Sequence, residues 1–210
     1  MKAFRLFAIR HGATESSRAR RFAGSRDVGL TAEGRTQCEA AARALADTPL
    51  AAVYTSPLER AQVSAEIIAA PHGLAVRVEP RFREMTFGAW EGLTRSELAE
   101  RYPTDSAAWA RTPHLVTPPG GERLDAVAAR VARGVESLRA GHAGATVVLV
   151  SHAIVLRLLV LAALGLGPER LWTVDASPAG ITEVEYHGAW TTVHRMNTVA
   201  HLDGVREAAP

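Results

Sequence analysis

The sequence predicts an α/β fold with a mostly parallel sheet covered on both faces. Three observations predict it. Short apolar runs at Phe4–Ile9, Ala51–Thr55, Ala75–Val78 and Thr146–Val150 alternate with helix-like segments. The segment 153–164 is apolar nearly all round, as expected of a helix buried against a sheet. Two of the runs deliver a histidine at their C-terminal ends, His11 and His152, and in an open parallel sheet that edge is where ligands bind.

The elements follow in order. After the first run, residues 31–46 form a helix with Thr31 as N-cap and Glu33 in its first turn, where a negative charge suits the dipole. Ser56-Pro57 opens a helix over 58–69. Residues 122–140 place Leu124, Val127, Ala128, Val131, Val135 and Leu138 on one face, with Gly141 as the stop. Ile181–Tyr186 and Trp190–Met196 read as a hairpin around His187-Gly188. Two stretches break the rhythm: Ser16 to Gly29, polar and rich in arginine, and residues 80–121, with short helical pieces near 94–101 and 104–111. Long excursions of this kind tend to carry binding residues. The last few residues are expected to fray.

The 210 residues, 47% of them hydrophobic, suffice for one well-buried core, so a single domain over 1–210 with an insertion at about 80–121 is expected. A formal net charge of only +2 does not suggest a nucleic-acid partner. Lys2 is the only lysine, so nearly all positive charge is arginine, whose planar fork matches carboxylate or phosphate oxygens. Cys38 is the only cysteine; it excludes an intrachain disulfide and sits on an apolar helical stripe, as a small core residue would. The first ten residues turn polar too soon for a signal peptide. Ser151, His152 and Arg157 interrupt the apolar stretch 147–167, and a charge at the bilayer centre costs roughly 2.5–3.5 kcal/mol, so no membrane span is expected there. The expected location is the cytoplasm.

Four positions could carry chemistry. His11, flanked by Arg10 and Gly12, suits a nucleophile toward phosphorus beside a phosphate-holding arginine; a buried, hydrogen-bonded histidine would fit the same pattern. Gly12 would let the backbone approach a ligand. Arg60 stands one turn into a helix after a strand, near the same sheet edge, or else is a solvated arginine paired with Glu59. Glu84 lies among apolar and aromatic residues, where desolvation would raise its pKa and suit it to donate a proton. A salt bridge to Arg81 or Arg83 is the plainer reading of Glu84, and Glu91 competes with it. His152 would stand at a helix N-terminus that favours an anion, unless Ser151 caps that helix and His152 is incidental.

These positions fall in six blocks: Arg10 to Glu15, Gly24 to Gly34, Ser56 to Ala61, Phe82 to Gly92, Pro118 to Glu122 and Val147 to Ala153. In that order the chain resembles the histidine phosphatase superfamily, the phosphoglycerate-mutase-like proteins, from Phe4 to about Met196. The resemblance implies a three-layer α/β/α sandwich. It implies that His11 becomes phosphorylated, that Arg10, Arg60 and His152 form the phosphate pocket with Thr14, Ser17 and Gly24, and that Glu84 protonates the leaving group, so that His11, Glu84 and His152 are the catalytic set. Ser17 stands where the family often has an asparagine on the phosphate. Phe87 replaces a tyrosine of the mutases, and Ala110-Arg111 keeps one arginine of their pair.

The implied activity is metal-independent phosphomonoester hydrolysis of a small phosphorylated metabolite, with no cofactor, rather than a phosphoglycerate-mutase-type transfer. A homodimer is common among such proteins. Arg10 and Arg60 would keep His11 neutral by disfavouring a third positive charge. Arg18, Arg20, Arg21 and Arg26 either contact a second anionic group or face solvent. Phe87, Trp90 and Trp109 either wall the leaving group or belong to the core.

Overall fold

The structure is a computed structural model that describes residues 2–205; the expected fraying of the last few residues lies outside them. Six strands form one sheet: β1 (Phe4–Arg10), β2 (Ala52–Thr55), β3 (Val76–Val78), β4 (Thr146–Ser151), β5 (Ile181–His187) and β6 (Trp190–Thr198), in the order β3-β2-β4-β1-β5-β6. β3, β2, β4 and β1 run parallel, and the β5–β6 hairpin adds to β1 antiparallel. The sheet is therefore mixed, with its parallel part at the four strands that alternate with helices.

Seven α-helices accompany the strands: α1 (Glu15–Arg18), α2 (Ala32–Leu45), α3 (Glu59–Ala69), α4 (Arg95–Arg101), α5 (Pro103–Arg111), α6 (Leu124–Gly141) and α7 (Ala153–Ala163). The period-2 alternation of the strands divides the core between the two faces. Phe7, Ile9, Val53, Val148 and Val150 pack with residues of α2 and α3 on one face. Leu6, Ala8, Ala52, Val147 and Leu149 pack with α6 and α7 on the other. This is the three-layer sandwich. The 80–121 excursion contributes Phe82, Met85, Trp90, Leu98 and Trp109 to the second face, so it shares the main core.

Local details follow the chemistry of the sequence. The Thr31 hydroxyl accepts the Gly34 N–H at 3.0 Å and caps α2. Leu124, Val127, Val131, Val135 and Leu138 are the buried stripe of α6. Gly141 does not stop that helix: it is its last residue, and the chain turns at Gly144, whose φ is +84°. Among the described residues no helix is long and apolar enough to cross a membrane.

Register places the site. β1 and β4 are neighbours, with Ile9 opposite Val150 and Arg10 opposite Ser151. The His11 N–H donates to the Ser151 carbonyl at 3.0 Å, so the two histidines leave the sheet side by side.

Candidate active site

A cleft of about 640 Å³ opens at this sheet edge. Its floor holds Arg10, His11, Thr14, Arg60 and Glu84. The His11 and His152 rings lie 5.2 Å apart, and His152 is fully buried behind the floor. Sequence reasoning placed Arg10, His11, Arg60 and His152 at one edge, the resemblance added Thr14, and the structure brings these together with Glu84.

The protonation state of His11 follows from its partner. Nδ1 lies 2.8 Å from the Gly12 carbonyl, which can only accept, so Nδ1 carries the hydrogen and Nε2 keeps its lone pair. Burial pushes its pKa well below the usual value, and the Arg10 and Arg60 charges push it the same way. The expected charge effect is present, but desolvation leads it. Burial likewise lowers His152 well below its usual value, with Arg60 next. The Ser56 hydroxyl accepts the Leu58 N–H and lies 2.6 Å from His152 Nε2. His152 Nε2 is the only acceptor that the Ser56 hydroxyl meets among the described residues, and with Ser56 donating to it the imidazole hydrogen sits on Nδ1.

The two arginines, Arg60 buried and Arg10 half-buried, are fixed by backbone carbonyls. Arg10 Nη1 donates to Ala176 at 2.7 Å. Arg60 donates from Nη1 to Arg26 at 2.7 Å and from Nη2 to Gly24 at 2.8 Å. Burial lowers the Arg10 pKa to about 10. Arg10 Nε, Arg60 Nε and His152 Nδ1 are all buried without a protein partner. Buried donors left open in this way call for a ligand or water.

Glu84 has no salt bridge to Arg81 or Arg83; those pair with Glu79 and Glu122. Its carboxylate accepts the Met85 N–H at 2.9 Å and, at 3.4 Å, the Ile154 N–H. Burial raises its pKa against the opposing pull of that Met85 N–H, Arg60 and Arg10. Glu91, its competitor, does not line the cleft: it accepts from the Ser25 N–H and hydroxyl and from the Phe87 N–H, tying two loops together.

Thr14 lines the cleft and its hydroxyl accepts the Ser17 N–H at 3.1 Å. Ser17 also lines the cleft, but its hydroxyl donates to the Thr14 carbonyl and accepts the Thr14 N–H, closing a capping box on α1. Gly24 lines the cleft at φ +54° and supplies the carbonyl that Arg60 grips. Gly12 corrects its expected reason. A Cβ there would run into the Gly34 carbonyl and sit 2.8 Å from Cys38 Sγ, so this glycine serves packing against α2 rather than approach to a ligand. Ser151 does not cap α7; its hydroxyl donates to the Phe82 carbonyl, and His152 itself is the N-cap residue.

Among the aromatics, Phe87 lines the cleft, whereas Trp90 and Trp109 pack edge-on within the core. Of the loop arginines, Arg20 and Arg21 line the cleft; Arg18 and Arg26 turn to Glu33 and Glu91. One wall was missed: Arg157, Trp172, Asp175 and Ser177. The guanidinium of Arg157 lies 5.3 Å over the Trp172 ring and pairs with Asp175 at 2.7 Å. A signal for Arg157 existed. Arg157 is the lone charge in an apolar helix, four residues after the helix start at Ala153 and on the same face as that cleft-lining alanine.

Comparison with known proteins agrees with this geometry. The model of the histidine phosphatase superfamily, branch 1, matches residues 6–199. A bifunctional protein of Mycobacterium tuberculosis is 40% identical over 201 residues, covering 94% of this chain. The chain spans only about half of that relative, 55% of its length. Phosphoserine phosphatase 1 of Hydrogenobacter thermophilus is 32% identical, with 94% of each chain covered. The Bacillus stearothermophilus protein YhfR superposes with a TM-score of 0.90 at 32% identity, over 95% of this chain and 100% of its own. A match over nearly the whole chain, with two histidines and two arginines converging where that resemblance implies them, makes this chain a member of the histidine phosphatase superfamily.

Proposed function

We propose that this chain is a metal-independent phosphomonoester hydrolase that acts on a small phosphorylated metabolite through a phosphohistidine at His11. The observation that carries the reading is the set of buried nitrogens without a protein partner beside His11: Arg10 Nε, Arg60 Nε and His152 Nδ1. A phosphoryl group seated among them would meet the free Nε2 of a neutral imidazole.

The steps follow from the groups present. Nε2 of His11 attacks phosphorus, the bond to the leaving oxygen breaks, and the carboxyl of Glu84 gives that oxygen its proton. A water then attacks the phosphohistidine and loses its proton to the Glu84 carboxylate. The P–N bond breaks, and inorganic phosphate leaves. Splitting one hard displacement into two is covalent catalysis. Arg10, Arg60, His152 and the Thr14 hydroxyl stabilise the equatorial oxygens, since positioning and electrostatics dominate phosphoryl transfer. The Gly24 loop holds Arg60 in place, and Ser17 acts by shaping the Thr14 turn. The similarity to a phosphoserine phosphatase supports the hydrolytic reading.

The test is phosphate release from a panel of phosphomonoesters with chelator present, comparing the native chain with His11→Ala. Turnover that survives chelation and falls on the order of 10⁴-fold or more in the variant is the expected result. Loss of turnover on chelation would overturn the mechanism. Isomerisation of 3-phosphoglycerate without phosphate release would replace it by a mutase.

A further inference from the structure

We infer that Arg130 is a positioning residue for Glu84, working with the half-buried Glu122 as a clamp; this rests on Glu84 being the proton donor of the reading above. Glu84 follows a short 3-10 turn, Pro80–Phe82, and lies in an irregular buried stretch. Such backbone has no sheet or helix partner, so its carbonyls need donors from elsewhere. Four consecutive carbonyls receive side-chain donors. Arg130 Nη1 donates to Arg81 at 2.7 Å and to Arg83 at 2.6 Å, and Nη2 donates to Glu84 at 3.2 Å. The Ser151 hydroxyl donates to Phe82 at 2.7 Å.

Glu122 completes the clamp. Its carboxylate pairs with Arg130 Nε and Nη2, both at 3.2 Å, and accepts the Thr86 N–H at 2.9 Å and Arg83 Nη2 at 3.0 Å. The charge of a buried arginine is thus compensated, and the chain is gripped on both sides of Glu84. One turn along the same face of α6, Gly134 admits the Phe82 ring; a Cβ there would stand 2.7 Å from it. The Glu84 carboxyl itself touches no cation, only the Met85 and Ile154 N–H groups. Its aim is therefore set by its backbone, and the backbone is set by Arg130. Lysine cannot substitute, because a single ammonium lacks the fork that reaches three carbonyls and a carboxylate together.

A displaced proton donor has a specific signature. An aryl phosphate with an acidic leaving group departs without a proton, whereas an alkyl phosphate needs one. The experiment compares kcat/KM on p-nitrophenyl phosphate and on glycerol 2-phosphate for the native chain, Glu84→Gln, Arg130→Lys and Glu122→Gln. Thermal unfolding is followed in parallel. Glu84→Gln should lose about 100-fold or more on the alkyl ester and far less on the aryl ester. Arg130→Lys should lose in the same selective way, by about 100-fold at most, with its alkaline limb displaced. Glu122→Gln, a milder change, should show a smaller loss of the same selectivity and serves where Arg130→Lys fails to fold. Equal loss on both esters in a folded variant, or no loss at all, would overturn the clamp. Glu84→Gln without selectivity would instead overturn the assignment of Glu84 as proton donor, and the clamp's role with it.

Discussion

The floor of the cleft and its outer wall are built by different means. The floor comes from strand ends and a helix start, and its side chains are fixed by buried backbone carbonyls: Arg10 on Ala176, Arg60 on Gly24 and Arg26, His11 on Gly12. The wall comes from loops and exposed helix positions. Arg20 and Arg95 are exposed there, and the Arg95 guanidinium lies over the Trp172 ring at 5.8 Å. The contrast separates two tasks. A buried, prearranged floor performs one reaction with little reorganisation, and an exposed wall can change its leaving-group preference without disturbing it.

The contrast is open to attack at several depths. Arg60→Ala strikes the floor. Each charge-assisted contact is worth roughly 1.5–3 kcal/mol, so kcat/KM should fall on the order of tenfold to a few hundredfold on every phosphomonoester. A loss confined to one substrate would mean that Arg60 belongs functionally to the wall.

Proton linkage gives a smaller effect with a definite sign. The folded-state pKa values of His11 and His152 are depressed, so the unfolded chain binds more protons below 6.5. Stability is full above that value and is lost as pH falls from it through the folded pKa values. Activity should share this acid limb only where His11 itself titrates, far below 6.5. It should fall on the alkaline side as Glu84, whose pKa is raised, loses its proton. Unfolding midpoints across the acid range check the first point, and an Asn at His152 should flatten the slope. A slope unchanged in His152→Asn would contradict the linkage.

The wall should respond least. Arg95→Ala removes an exposed charge, worth about 1 kcal/mol at most. KM should shift by less than about tenfold, by different amounts for different leaving groups, with kcat kept. A uniform fall in kcat would erase the distinction between wall and floor.

The floor was legible in the sequence for the same reason that it is rigid. Apolar runs locate strands to within a residue or two, and a polar residue directly after such a run must sit at the sheet edge. That logic found His11, His152 and, through Ser56-Pro57, Arg60. It could not tell Glu84 from Glu91, because both occupy one short motif and only the packing decides which faces the cleft. The reasons for Gly12 and Ser17 were equally hidden. One depends on how closely α2 approaches, the other on a capping box inside a four-residue helix. The Trp172–Ser177 wall lay beyond reach, since its place beside Arg10 comes from the antiparallel return of β5 along β1.

β4 lies between β1 and β2, although it follows both by a long stretch of chain. During synthesis, then, the ribosome releases His11 and Arg60 well before the strand that seats His152 between them. Until β4 inserts, β1 and β2 present facing, unpaired edges, a template for association with other chains. Insertion is a non-local, parallel pairing, the slow kind of step in folding. Competence of the proposed site should accordingly appear late and all at once, with no partly active species on the way.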